Sequence, residues 1–192
     1  FVVNSASKRV GFVRTDGPDT AQLDLWVVEN LDGNPTERCV VKAKDLFSDN
    51  ENLSAAERAR RERLRESGAG ITSFSIDAEF SAVAFSLSGQ LWHVSIDGKA
   101  NRIGNYESVV DPRLSPNVKL IAFSESADFV IADTDGKEVF RKASEAEYIT
   151  YGLVDFIAAE ELGRYRGHWW SPDSQQIMFE RNDETEVDIR WI

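Results

Sequence analysis

Short runs that alternate apolar and polar residues, or are apolar throughout, fill most of the chain, and Gly, Asn, Asp or Pro bounds each of them. That period and punctuation predict strands of an antiparallel all-β protein. A unit recurs among them. Its two best copies open on a turn, Ser115-Pro116-Asn117 and Ser171-Pro172-Asp173. Each continues into a strand that ends in Ala122-Phe123 or Met178-Phe179, with the same Ser-to-Phe distance, and the unit proceeds towards an Asp-Gly turn. A looser copy runs through Ser75, Ala84-Phe85, Leu91-Trp92-His93-Val94 and Asp97-Gly98; a first copy has Gly11-Phe12, Leu25-Trp26-Val27-Val28 and Asp32-Gly33. Glycine takes positive φ without penalty, so each Asp-Gly step is expected to close a two-residue hairpin. Units of some 40 residues built from hairpins predict blades of a β-propeller, whose sheets bury both faces only when neighbours stack on them. The expected fold is therefore all-β, a partial propeller of about four blades spanning 1–192.

Two insertions interrupt the repeat, at about 45–70 and 143–167, and insertions are where function is expected. The first reads as a helix between Asp45 and Gly70: Ser54 and Glu57 have capping-box spacing, and Gly68 serves as the stop signal. Its body is almost wholly charged, from Glu57 through Arg58, Arg60, Arg61, Glu62, Arg63 and Arg65 to Glu66. A solvated face with i,i+4 pairs Glu57–Arg61 and Arg58–Glu62 is one reading of it. In the second insertion, residues from Tyr148 suit a strand, and Ala158-Ala159-Glu160-Glu161-Leu162 suits a helical turn.

Composition narrows the chemistry. The 192 residues include eleven Phe and five Trp, are 42% hydrophobic and carry a formal charge of −11. Such a chain folds, and its charge opposes a nucleic-acid partner held through phosphates. Cys39 is the single cysteine, so no disulfide forms within the chain, and His93 and His168 are the only histidines. No metal-ligand spacing results, and neither a metal nor a cofactor is expected. No apolar run is long enough for a membrane-spanning helix. The chain begins at Phe1 inside a strand-like run, so the native start and any signal peptide are expected outside it, and a periplasmic or cytoplasmic location stays open.

The adjacent acids Glu160 and Glu161 could hold a primary ammonium through charge-assisted hydrogen bonds, although a solvated pair is the commoner fate of neighbouring glutamates. Three segments give the pair a context: Asp155-Phe156-Ile157-Ala158-Ala159-Glu160-Glu161, then Gly167-His168-Trp169-Trp170-Ser171-Pro172-Asp173, then Phe179-Glu180-Arg181-Asn182-Asp183-Glu184-Thr185-Glu186-Val187. In this order they resemble the double-glutamate region of the dipeptidyl peptidase IV family, bacterial-type members of the prolyl oligopeptidase superfamily. The resemblance implies an eight-bladed propeller capping an α/β-hydrolase domain, and a serine exopeptidase that releases N-terminal dipeptides with Pro or Ala in second place. It also implies that Glu160 and Glu161 bind the substrate's α-ammonium. Ala158 and Ala159 stand where the motif usually has an aromatic and often a third acid. The arginine-rich segment ahead of Gly70-Ile71-Thr72-Ser73-Phe74 resembles an inserted helix of the family that lends an arginine to the carbonyl of the substrate's second residue. Arg61 is the favoured candidate, with Arg63 and Arg65 next.

Trp169 and Trp170 are expected to pack, one on each side of a strand, and His168 to be structural or exposed. No Gly-x-Ser-x-Gly elbow occurs, so no catalytic residue is assigned here, and the catalytic α/β-hydrolase domain is expected to lie C-terminal to this segment. Peptide N-termini are the expected ligands. Uncovered blade edges suggest a homodimer. The alternative function is a non-catalytic propeller that serves as a protein-interaction module.

Overall fold

A computed structural model describes residues 1–4, 7–18, 20–47, 53–66 and 68–188. Among the described residues three antiparallel sheets and the strands of a fourth follow one another along the chain. The first joins β1 (Val2–Asn4), β2 (Arg9–Thr15), β3 (Gln22–Glu29) and β4 (Thr36–Val41) in sequence order. The second is β6 (Ser75–Ile76), β7 (Ala82–Leu87), β8 (Gln90–Ser95) and β9 (Ala100–Arg102), and the third is β10 (Val109–Leu114), β11 (Leu120–Glu125), β12 (Asp128–Asp133) and β13 (Glu138–Lys142). In the fourth unit β14 (Ile149–Tyr151) pairs with β17 (Arg181–Asp183), and β15 (His168–Trp170) with β16 (Ile177–Phe179). The all-β, partial-propeller expectation holds. One strand was not foreseen: β5 (Ala69–Gly70) runs parallel to β3 on the first sheet.

Period-two side-chain geometry builds the core. Along β7, Val83, Phe85 and Leu87 join Leu25, Val27 and Ile71 of the first unit, whereas Ala82 and Ala84 join Ile121, Phe123 and Val130 of the third. Likewise Val130 and Ala132 of β12 face the second sheet, while Phe129 and Ile131 pack with Tyr151, Trp170 and Phe179 of the fourth unit. Every core lies between sheets, as blade stacking requires.

The repeat is real but offset from its reading in the sequence. In the Ser115 turn, the Ser115 amide donates to the Leu120 carbonyl, the Leu120 amide donates to Ser115 Oγ, and Val118 has positive φ. The Ser171 turn repeats this with Gln176 and Ser174. In the second sheet Asp77, not Ser75, takes the role: its amide donates to the Ala82 carbonyl, its Oδ1 accepts from the Ala82 amide, and Phe80 has positive φ. A carboxylate serves there as well as a hydroxyl. The Asp97-Gly98 step closes a hairpin, but with three loop residues, 96–98, between Ser95 and Lys99 instead of two, and Gly98 takes φ +94°. Between β3 and β4 the left-handed residue is Asn30 instead of Gly33.

Among the described residues three helices interrupt the strands: α1 (Ala43–Leu46), α2 (Ala55–Leu64) and α3 (Phe156–Leu162). Of the helix expected over Asp45 to Gly70, the described residues form the end of α1 and all of α2, and residues 48–52 and 67 of that segment lie outside the described residues. The stop of α2 is Arg65 in the left-handed conformation, ahead of Gly68. The last-turn carbonyls are met from there, since the Arg65 amide donates to Arg61 and Glu62 and the Glu66 amide to Arg61. Among the described residues no helix is long and apolar enough to cross a membrane.

Candidate functional site

Helix α2 hangs between β4 and β5, and α3 between β14 and β15, so two insertions far apart in sequence supply the two helices. Ser54 caps α2 by accepting from the Glu57 amide at 3.2 Å. The Glu57 carboxylate turns to arginines: Oε2 and Oε1 accept from Arg60 Nε and Nη2 at 2.8 and 2.9 Å, and Oε1 accepts from Arg61 Nε at 2.9 Å. Arg60 Nη2 also reaches Glu66 at 2.8 Å and Thr72 at 3.2 Å. Burial alone would disfavour the Arg60 guanidinium, but the bonds to Glu57 and Glu66 outweigh it and hold its pKa above the ordinary arginine value. Of the two expected i,i+4 pairs, Glu57–Arg61 forms; Arg58 donates instead to the Leu53 carbonyl.

Helix α3 begins two residues before the Ala-Ala-Glu-Glu-Leu stretch because Asp155 caps it, its Oδ1 accepting from the Ala158 amide at 2.9 Å. The last of the three motif segments supports this helix. Asn182 Nδ2 donates to the Leu153 carbonyl at 2.8 Å just before α3, and Glu180 holds Arg164 just after it at 2.6 Å, while Arg164 returns to Asp155 at 3.2 Å. Trp170 packs in the core between the third sheet and the fourth unit and donates to the Arg113 carbonyl, whereas Trp169 lies beneath the Arg164 guanidinium. His168 is fully buried and bonds the Gly152 carbonyl through Nδ1, which a carbonyl partner requires to carry the proton. Burial holds its pKa below the ordinary histidine value.

The helices converge. A cleft of about 1020 Å³ is lined by Ala56, Ala59, Arg60 and Arg63 of α2, Val110 and Asp111 of β10, Tyr148 and Thr150, and the segment from Gly152 through Ile157. Next to it a depression of about 640 Å³ shares Ala59, Arg63, Phe156 and Tyr165 with the cleft and adds Arg65 and Glu160. Arg63 is the link: its guanidinium stands over the Phe156 ring, 5.2 Å from the centroid, and its Nε lies 3.8 Å from Glu160 Oε1. At that separation the pair is weak and the glutamate remains accessible.

The predicted site residues therefore separate. Arg63 and Glu160 come together, with Arg65 on the same depression. Arg61 is buried, bonded to Glu57 and to the Gly68 carbonyl at 3.3 Å, and borders a different depression with Arg58, Glu62 and Arg65. Glu161 is exposed, lines neither the cleft nor the Glu160 depression, and makes no ion pair among the described residues. Ala158 and Ala159 are buried, and Ala159 faces the cleft, where a larger side chain would take up its volume. The sequence reading missed Arg60, Asp111, Tyr148 and Tyr165 as lining groups. Only Arg60 carried a signal, being one turn before Arg63 on the same helical face. No cluster of three potential metal ligands occurs among the described residues.

Comparison with known proteins gives the same context. Human dipeptidyl peptidase 8 is 27% identical over 180 residues, an alignment that covers 76% of this chain and 20% of that protein, and the mouse protein of that name matches to the same extent. A probable dipeptidyl-aminopeptidase B of Pyrenophora teres f. teres is 31% identical over 78 residues, covering 38% of this chain and 8% of the relative. The chain thus spans about a fifth of the length of the first of these relatives. Residues 76–191 match the family described as dipeptidyl peptidase IV (DPP IV) N-terminal region, and the chain belongs to that family.

Proposed function

We propose that this chain is the substrate-recognition part of a serine dipeptidyl peptidase that removes dipeptides with Pro or Ala in second place from free N-termini. The observation that carries the reading is the meeting of α2 and α3: Arg63 of one insertion lies beside Glu160 of the other at the edge of a peptide-sized cleft. An α-ammonium has three donors and no acceptor, so the acids of α3 suit it, Glu160 from the depression and Glu161 from the open side of the helix. Arg63, steadied on Phe156, is the arginine placed to donate to the carbonyl of the second residue. Arg65 borders the same depression as a second donor, and Arg61 acts in holding the helix. Acyl transfer itself requires a nucleophile that no Gly-x-Ser-x-Gly of this sequence supplies, and the reading assigns it to an α/β-hydrolase domain of the full-length protein.

Glu161→Gln in the full-length protein tests the clamp. A hydrogen bond to a charged group is worth about 1.5–3 kcal/mol, so kcat/KM on a dipeptidyl substrate should fall at least about tenfold. The same kcat/KM in the variant would remove Glu161 from the site.

A further inference from the structure

We infer that Glu57 is a positioning residue for substrate binding, acting through Arg63. The inference rests on the proposed role of Arg63 and extends it to a group that touches neither cleft nor substrate. Helix α2 has ten residues, a length at which an isolated helix is marginal in water. Its apolar side chains are few, so packing alone fixes neither its helicity nor its rotation about its own axis. What is buried on it is polar: Glu57 and Arg61 have side chains 5% and 7% exposed, and that of Arg60, at 12%, is mostly covered.

Glu57 is the hub of that buried set. One carboxylate takes three guanidinium hydrogen bonds from two successive arginines, and its own amide is held by the Ser54 cap. Arg60 carries the restraint onwards to Glu66 and to Thr72, beyond the helix. Arg63 lies one turn after Arg60, and both line the cleft. Because residues on a helix hold fixed angular relations, the rotation that Glu57 and Arg60 set is the rotation that places Arg63 over Phe156 and beside Glu160. The contacts of Arg63 itself are weak ones, the Phe156 ring at 5.2 Å and a long pairing with Glu160, and its side chain is 26% exposed. Without the Glu57 charge, Arg60 and Arg61 lose the carboxylate they share, and the restraint that fixes the rotation of α2 weakens although Glu66 still holds Arg60.

The test is a double-mutant cycle in the full-length protein on a dipeptidyl substrate, with Glu57→Gln, Glu57→Asp, Arg63→Ala and the Glu57→Gln/Arg63→Ala double variant. Glu57→Gln should raise KM about fivefold with kcat within about twofold, the pattern of lost uniform binding, and Glu57→Asp should recover part of it. In the Arg63→Ala background Glu57→Gln should change KM by less than about 1.5-fold, because the group it positions is gone. Equal fold-changes in both backgrounds, or an unchanged KM in Glu57→Gln, would overturn the positioning role while leaving Arg63 in place. An unchanged KM in Arg63→Ala alone would overturn the underlying assignment of Arg63, and the role of Glu57 with it.

Discussion

Arg61 and Arg63 stand two residues apart on one helix, and alanine at each should produce losses of stability that differ severalfold. The Arg61 side chain is 7% exposed and bonds Glu57 at 2.9 Å and the Gly68 carbonyl at 3.3 Å. Removing one member of a buried ion pair costs about 3–5 kcal/mol when the other is left uncompensated. Here Arg60 still holds Glu57 with two bonds, so the loss falls to or somewhat below the bottom of that range, about 2–3 kcal/mol. Arg63 is 26% exposed with its carboxylate partner at 3.8 Å, a pairing worth at most about 1 kcal/mol. For a domain of this size 1 kcal/mol shifts Tm by about 2–4 °C, so Arg61→Ala should lower Tm by about 4–12 °C and Arg63→Ala by about 4 °C at most. Thermal unfolding of the two variants beside the parent, followed by circular dichroism and by fluorescence, reads the difference. Equal losses, or a larger loss in Arg63→Ala, would refute the assignment of Arg61 to the helix anchor and of Arg63 to the open cleft.

Acid should weaken the fourth unit through His168. Burial depresses its folded pKa, so below about pH 6.5 the unfolded chain binds a proton that the folded chain refuses. The stability this group contributes is complete above the unfolded value and is lost as pH falls towards the folded one, by up to about 1.4 kcal/mol per pH unit. His168→Asn, which keeps a donor for the Gly152 carbonyl, should flatten the drop in urea stability between pH 7 and 5, and an identical slope in the variant would contradict it. Gly89→Ala should cost about 3 kcal/mol by urea denaturation, because φ is +76° there and the new Cβ would lie 2.0 Å from the Glu107 carbonyl oxygen. A loss under about 1 kcal/mol would mean that the turn between β7 and β8 can move off its neighbour.

The architecture was legible because period-two burial and turn chemistry act locally. Phe85, Phe123 and Phe179 each fall at the same point of a repeat, and each packs in a core between sheets. The offset of the second copy arose because Asp77 can close the turn as a serine does, and a pattern keyed to serine passes over it. Helix α2 was placed by its cap, but its end was not, since Arg65 adopts the left-handed conformation that glycine usually takes. Which arginine faces the cleft was beyond reach for a physical reason. A helix with charge on every side shows no apolar stripe by which to orient it, and the one buried carboxylate on it, Glu57, looks in sequence like any surface acid. Glu180 and Asn182 were quoted only as parts of a motif, and their role as braces of α3 depends on contacts with residues 16 and 29 positions earlier.

The alternation along β7 makes the strand a partition wall with unlike sides. Bulky Val83, Phe85 and Leu87 are matched to one chamber and slim Ala82 and Ala84 to the other. Deleting a single residue from the preceding turn would exchange those sides, driving a phenyl ring into space shaped for a methyl and leaving a void behind it. Two chambers would be spoiled by one change, and the damage would reach the first sheet, from which α2 departs, as well as the third.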